Sequence, residues 1–363
     1  MTPFPASVMT KVDFTHYMSE VHPVTANQAR ASVDNFRLGL LFAVGSALAF
    51  GSSGPFAKAL MEAGWSPTAA VVARLAGGAL VMAVFASFVR PGWVREALGH
   101  ARTVVLYGAI PIAGAQLFYY NAVAHLSVGV ALLLEYTAPI LVVTWVWMTT
   151  RRRPTNLTLA GVALAVAGIM LVLGIFDAGG FSGARINLIG VGWGLAAAVC
   201  AACYFVMSAN ASNGSADSDG VNPITLAAAG LVVGAAAVTL LGVVGIMPLT
   251  FTTNDTVIAG WTTSWVVPVV ALGVVATAIA YTLGIVGISM LRPRFASLVG
   301  LSEVMFAVLA AWILLGEAMT TIQAVGGAIV LMGLALARQG DRGEESADVT
   351  LPDAVPSAPV AGR

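Results

Sequence analysis

Three ionisable side chains interrupt stretches that are otherwise apolar: Arg74 in AAVVARLAGG, Glu135 in ALLLEYTAPI and Glu303 in LVGLSEVMFA. Moving such a group to the middle of a bilayer costs about 2.5–3.5 kcal/mol on insertion scales, so each should face a cavity or a partner. Arg74 and Glu135 enter from the same side at similar depth. Two chemistries are open to them: a structural ion pair between neighbouring helices, or contact with a solute or a proton. Glu303 has the same alternatives, and carboxylates in such places are common proton carriers.

Further groups accompany them. In Phe50-Gly51-Ser52-Ser53-Gly54-Pro55-Phe56, Pro55 removes the hydrogen bond to the Gly51 carbonyl and clashes with that turn. The expectation is a broken helix with Gly51, Gly54 and Pro55 as hinge and the hydroxyls of Ser52 and Ser53 on offer, or a kink that serves packing alone. Pro111 and Pro139 are hinge candidates of the same kind. Gln116 and Tyr120 share a helix face at i, i+4. With Tyr281 they suit a zwitterionic or polyhydroxyl solute, and interhelical hydrogen bonding is the alternative.

The elements that hold these groups must be membrane helices. Of 363 residues, 58% are hydrophobic and 9% charged, whereas a water-facing surface needs roughly 25% charged residues. Lipid is therefore the outer solvent. Against a length of roughly 20 apolar residues per crossing, spans fall near 37–60, 67–89, 103–124, 127–149, 157–175, 188–208, 223–246, 264–288, 295–315 and 320–338. Tails are expected at 1–36 and 339–363, with a polar linker at 177–187 outside the membrane. The first 35 residues lack the apolar core of a removable leader.

Orientation follows the distribution of bases. With the N-terminus inside, all of the 17 Lys and Arg residues except Lys58, Arg74 and Arg185 are cytoplasmic. Both termini are then cytoplasmic, in an inner or plasma membrane. The halves repeat at a shift of 165 residues, which pairs Leu126 with Leu291, Trp147 with Trp312, Gly161 with Gly326, Gly168 with Gly333 and Gln116 with Tyr281. Glu303 falls on Ala138, one turn from Glu135. Five spans per half, 37–176 and 188–338, make the second copy inverted, an architecture that builds a site between halves able to open to either side.

At this point the residues resemble a known family. Leu314-Leu315-Gly316-Glu317-Ala318-Met319-Thr320, with Gln323, Gly326 and Gly333, is similar to the end of the EamA domain of the drug/metabolite transporter superfamily. Ala296-Ser297-Leu298, Ser302-Glu303 and Ala311-Trp312 resemble the helix before it. Ala131 to Pro139 resembles the corresponding segment of the threonine/homoserine exporter branch. The resemblance spans about 37–338 and implies a ten-helix secondary transporter with a central cavity. Two positions depart from the pattern: Glu303-Val304 replaces a common Glu-Pro, which puts a kink there in question, and Arg151-Arg152-Arg153-Pro154 replaces a Gly-Glu turn.

The fold class expected is thus all-α integral membrane, ten helices in two inverted repeats of five. The function expected is export of amino acids or related small polar metabolites by alternating access, with protons as the candidate coupling ion. Uptake of sugars or nucleotide-linked solutes is the rival within transport; an intramembrane enzyme or scaffold is the rival outside it. No phosphate-binding Gly-Lys-Ser/Thr loop, H-E-x-x-H sequence or membrane Ser/His pairing occurs, so neither ATP use nor enzymatic activity is expected. No cofactor or metal is implied: Cys200 and Cys203 lie one turn apart in an apolar run without histidines at ligand spacing. Zero net charge implies no nucleic-acid partner. The glycine pairs Gly190/Gly194 and Gly230/Gly234 allow close helix contact, and a homodimer is one arrangement that would use them. Trp65, Trp93, Trp261 and Trp265 read as interfacial belt residues.

Overall fold

The computed structural model describes residues 26–151, 153–173, 187–212, 221–291 and 293–349. The first half runs α1 (Ala26–Gly51), α2 (Ser53–Glu62), α3 (Pro67–Val89), the short α4 (Trp93–Gly99), α5 (Ala101–Val123), α6 (Val128–Glu135), α7 (Ala138–Thr150) and α8 (Asn156–Val172). The second half runs α9 (Leu188–Ser212), α10 (Pro223–Val243), a hairpin of β1 (Thr256–Ile258) and β2 (Trp261–Thr263), α11 (266–290), α12 (Pro293–Leu315) and α13 (Thr321–Val349). Among the described residues, seven helical segments are long and apolar enough to cross a membrane, and three shorter apolar helices, Asn156–Val172, Leu188–Tyr204 and Val299–Leu315, accompany them. In lipid the backbone can satisfy its polar groups only internally, which is why apolar runs of this length become helices.

Local chemistry marks the starts. Ser66 accepts from Ala69 N (3.2 Å) ahead of Pro67, and Asn222 accepts from Ile224 N (2.9 Å) ahead of Pro223. Thr320 and Gln323 form a reciprocal capping box at α13. Helix continues beyond the spans at both ends, so 26–36 and 339–349, read above as tails, are helical; 1–25, 350–363 and nearly all of the linker lie outside the described residues. The reason at the N-terminal side is composition: Ala26, Gln28, Ala29, Arg30 and Ala31 extend a turn already nucleated by the span.

Two helix breaks fall two to three residues before a proline. α1 gives way to α2 at Ser52, with Pro55 opposing the Gly51 carbonyl. α6 gives way to α7 at Tyr136-Thr137, with Pro139 opposing Glu135. Pro111 lies in a π-helical turn, Gly108–Gly114, that starts just beyond Tyr107. Where the repeat puts Val304 opposite Pro139, α12 runs unbroken from Pro293 to Leu315.

The repeat is visible in the packing. A second π-helical turn, Ala271–Ile279 in α11, covers the positions 165 residues beyond Gly108–Gly114. Gly161 packs on Gly333 and Gly168 on Gly326: a Cβ on Gly168 would come within 2.8 Å of the Gly326 carbonyl oxygen, and one on Gly333 within 2.5 Å of Ala165 N. Gly161 is the repeat mate of Gly326, and Gly168 of Gly333. Exchange of partners in this way is what a two-fold relation between antiparallel helices produces. Gly108 and its mate Gly273 likewise each meet a glycine of the other half, Gly230 and Gly77.

Several side chains serve the fold in ways composition does not announce. Gly190 lies against His125 and Leu126, Gly194 against Leu134, and Gly230 and Gly234 against α5, so these glycine faces are occupied within the chain. Trp65, at the turn between α2 and α3, is buried against the protein and donates to Thr252 O at 2.8 Å. At the opposite end of the bundle α4 carries Glu96, which accepts from Arg90 Nε, Asn222 N and Thr225 Oγ1, each at 2.8 Å, and so ties the first half to the start of α10. The Arg90 guanidinium, then the Asn222 amide, hold the Glu96 carboxyl down at about 2.

Candidate functional site

Arg74 projects from α3, and only 3% of the residue is exposed. Its guanidinium donates to five acceptors on three other helices. Nε meets Thr277 Oγ1 (3.2 Å); Nη1 meets Ser53 Oγ (3.1 Å), Tyr120 OH (3.2 Å) and Gln116 Oε1; Nη2 meets Ala276 O (3.2 Å). The Tyr120 ring also lies 5.7 Å below the cation. Gln116 and Tyr120 share a face of α5, as their spacing requires. Ser53 is the first residue after the α1–α2 break, and the π turn of α11 supplies both Thr277 and Ala276. Thr277 holds itself there by donating to Leu272 O (2.8 Å), five residues back.

All five acceptors are neutral. The ion pair with Glu135 considered above does not form: α5 and α2 supply the partners that a carboxylate would have supplied. Glu135 ends α6 half-buried, with no hydrogen bond to another described residue, within electrostatic range of Glu303 and Arg74. Glu303 is held from the first half. Tyr136, in the α6–α7 break, places its phenol oxygen 2.8 Å from both Glu303 Oε2 and Gly300 O. The backbone of α12 at Glu303–Ala307 is also where Gly51 packs, a Cβ there meeting the Glu303 carbonyl oxygen at 2.9 Å and Ala307 N at 2.8 Å.

The candidates therefore fall into two groups. Arg74, Ser53, Gln116 and Tyr120 form one polar cage; Glu135, at the end of α6, and Glu303, bonded by Tyr136 of the α6–α7 break, are not hydrogen-bonded to it. Ser52 stays outside both, donating to Ala49 O of its own helix (2.7 Å). Tyr281 packs edge-on against Phe50 with ring centres 5.1 Å apart, one turn along α11 from Thr277. Gly54 lies where α2 meets Tyr119 and Val128, and a Cβ would stand 2.5 Å from Val128 Cγ1. Thr277, Ala276 and Tyr136 were not singled out from sequence. The signal for Thr277 was its place four residues before Tyr281, the mate of Gln116; the signal for Tyr136 was its place beside Glu135 before Pro139. Among the described residues no group of three or more His, Cys, Asp or Glu could hold a metal ion.

Chemically, the arrangement presents a buried cation ringed by neutral oxygens and, near the break between α6 and α7, two carboxylates. The EamA-like transporter family matches twice, at residues 37–174 and 188–339. The threonine/homoserine exporter RhtA of Escherichia coli strain K12 is 27% identical over 264 residues, 71% of this chain and 77% of that one. The protein of the same name from Salmonella typhimurium strain SL1344 is 26% identical over 254 residues, 69% and 74% of the two chains. A solved crystal structure superposes with a TM-score of 0.52 at 22% identity, over 87% of this chain and 99% of that one, a likeness of fold alone.

Proposed function

Because the chain belongs to the EamA-like transporter family, we propose that it exports amino acids or closely related zwitterions across an inner membrane by alternating access. The observation that carries the substrate class is the separation of charge in the site. Arg74 has five neutral hydrogen-bond partners and no carboxylate among them, while Glu303 is held by the Tyr136 hydroxyl and Glu135 precedes that tyrosine at the end of α6. A substrate carboxylate would offset the guanidinium, and its ammonium would offset a carboxylate. That supplies a directly bonded counter-charge, which none of the three has among the described residues. Alternating access is supported by the exchange of glycine partners between halves, with the site at their junction. Protons are the coupling ion this reading favours, carried by Glu135 or Glu303, and the bias of basic residues supports cytoplasmic termini.

The printed name of the relatives makes threonine and homoserine the first substrates to try. Cells expressing the protein should survive toxic threonine analogues that stop control cells, and preloaded vesicles should lose labelled threonine faster than empty-vector vesicles. Equal survival and equal loss across a panel of amino acids would remove the proposal.

A further inference from the structure

Lys58 sits near the far end of α2 and pairs with Glu317, in the turn between α12 and α13. The two side chains are 19% and 22% exposed, so the pair is largely withdrawn from solvent. It does more than join two charges. Lys58 Nζ also lies 3.4 Å from Leu126 O, and Glu317 Oε2 accepts from Val128 N (3.2 Å), the first amide of α6. One carboxylate thus clamps α2 and α6 of the first half to a turn of the second. Glu317 is presented rigidly: Gly316 adopts φ +71°, Gly316 N donates to Trp312 O (3.0 Å), an αL closure of α12, and Glu317 N donates to Ala311 O (3.2 Å).

The clamped pieces are the two half-helices that the proline breaks set free. α2 begins at Ser53, a partner of Arg74, and carries Lys58 about 7.5 Å further along its axis. α6 begins at Val128, held by Glu317, and ends about 10 Å away at Glu135. Gly54 lets the two lie against each other, through Val128. Each half-helix therefore has a site residue at its broken end and a clamp residue at the other. Val128 to Leu134 are all buried, so α6 is packed within the bundle from its clamped start to the break.

We propose that Lys58–Glu317 is the latch of a gate formed by α2 and α6, closed in this structure, which opens by rotation of these half-helices about the Gly51–Ser52 and Tyr136–Thr137 breaks. Loss of Ser53 from Arg74, or movement of Glu135, pulls directly on the latch. The device is one-sided. The repeat places Arg151-Arg152 opposite Gly316-Glu317, so the latch carboxylate has no counterpart in the sequence of the other half. The latch rests on the transporter reading but not on any substrate.

The test is accessibility of a thiol behind the latch, measured without a solute. Ala57, fully buried one residue before Lys58, is changed to Cys in a full-length Cys200→Ala/Cys203→Ala background. Membrane-impermeant maleimide is then supplied from each side of sealed vesicles in turn. Labelling should be slow in the parent, and at least ten-fold faster from one side only when Glu317→Gln or Lys58→Met is added. Ala165→Cys, buried between α8 and α13, should label no faster in either variant. Two latch variants are used so that misfolding of one leaves the other to decide. Unchanged Ala57→Cys labelling in a folded variant would overturn the latch, as would equal acceleration at Ala165→Cys, which means general loosening. A ten-fold effect in a protein that moves no amino acid would keep the latch and remove the proposed substrate class.

Discussion

Arg74→Met separates a guanidinium that serves a substrate from one that holds helices together. The five hydrogen bonds of Arg74 are each worth about 0.6 kcal/mol if they behave like measured interhelical bonds in membranes, about 3 kcal/mol in all. Against this stands the price of a charge at membrane depth, about 2.5–3.5 kcal/mol, which Met does not carry. The two nearly cancel. The remaining loss comes from acceptors left behind, and it is limited because Ser53, Tyr120 and Thr277 carry hydroxyls that can turn to donate elsewhere; Thr277 already donates to Leu272 O. A net loss of about 1–2 kcal/mol follows, a shift of a few degrees in the thermal midpoint of the purified protein. Transport should fall to background in the same preparation. Arg74→Lys should not rescue it, since an ammonium cannot reproduce the planar fork across three helices. A midpoint lowered by more than about 10 °C would show that the cage is a structural staple and the cancellation wrong. Normal efflux by Arg74→Met would remove Arg74 from the site.

Three other outcomes follow from the geometry. Arg151 holds φ +57° at the end of α7, where the repeat has Gly316 at +71°; Arg151→Gly should raise stability by about 1 kcal/mol, read as a higher thermal midpoint at unchanged efflux. Glu96, depressed to about 2, contributes stability that is complete above the ordinary carboxylate range and is lost as pH falls through about 4.5 to 2; Glu96→Gln should flatten the acid limb of the midpoint-against-pH curve, and an unchanged limb would show that the α4–α10 tie contributes nothing. Gly333→Leu should cost at least about 3 kcal/mol, seen as loss of folded protein on size exclusion, because its side chain would enter the backbone of α8 at Ala165.

Much of the architecture was legible because lipid simplifies the reading. Apolar runs located the helical segments, and the glycines at 161, 168, 326 and 333 gave the repeat before their contacts were seen. The breaks at Ser52 and at Tyr136-Thr137 followed from Pro55 and Pro139 by local sterics. What stayed hidden depends on which helices become neighbours. Depth alone paired Arg74 with Glu135, but depth does not say that α5 and α2 supply nearer acceptors. Thr277 gave little signal because a single Thr in ALGVVATAI is ordinary until a π turn aims it. Lys58 was read only as a base on the outer side, and Glu317 as part of a family turn; their meeting across 259 positions of sequence lies beyond any local pattern.

The central claim is that one solute bridges Arg74 and the carboxylates of α6 and α12. Counterflow in proteoliposomes tests it most directly: uptake of labelled threonine driven by internal threonine, challenged outside with threonine, with its decarboxylated analogue 1-aminopropan-2-ol and with its deaminated analogue 3-hydroxybutyrate. The account predicts competition by threonine alone, with both single-charge analogues at least ten-fold weaker, and with the carboxylate requirement relaxed in Arg74→Met if any binding survives. Competition by 1-aminopropan-2-ol equal to that by threonine would contradict it, since the carboxylate would then have no partner in the site.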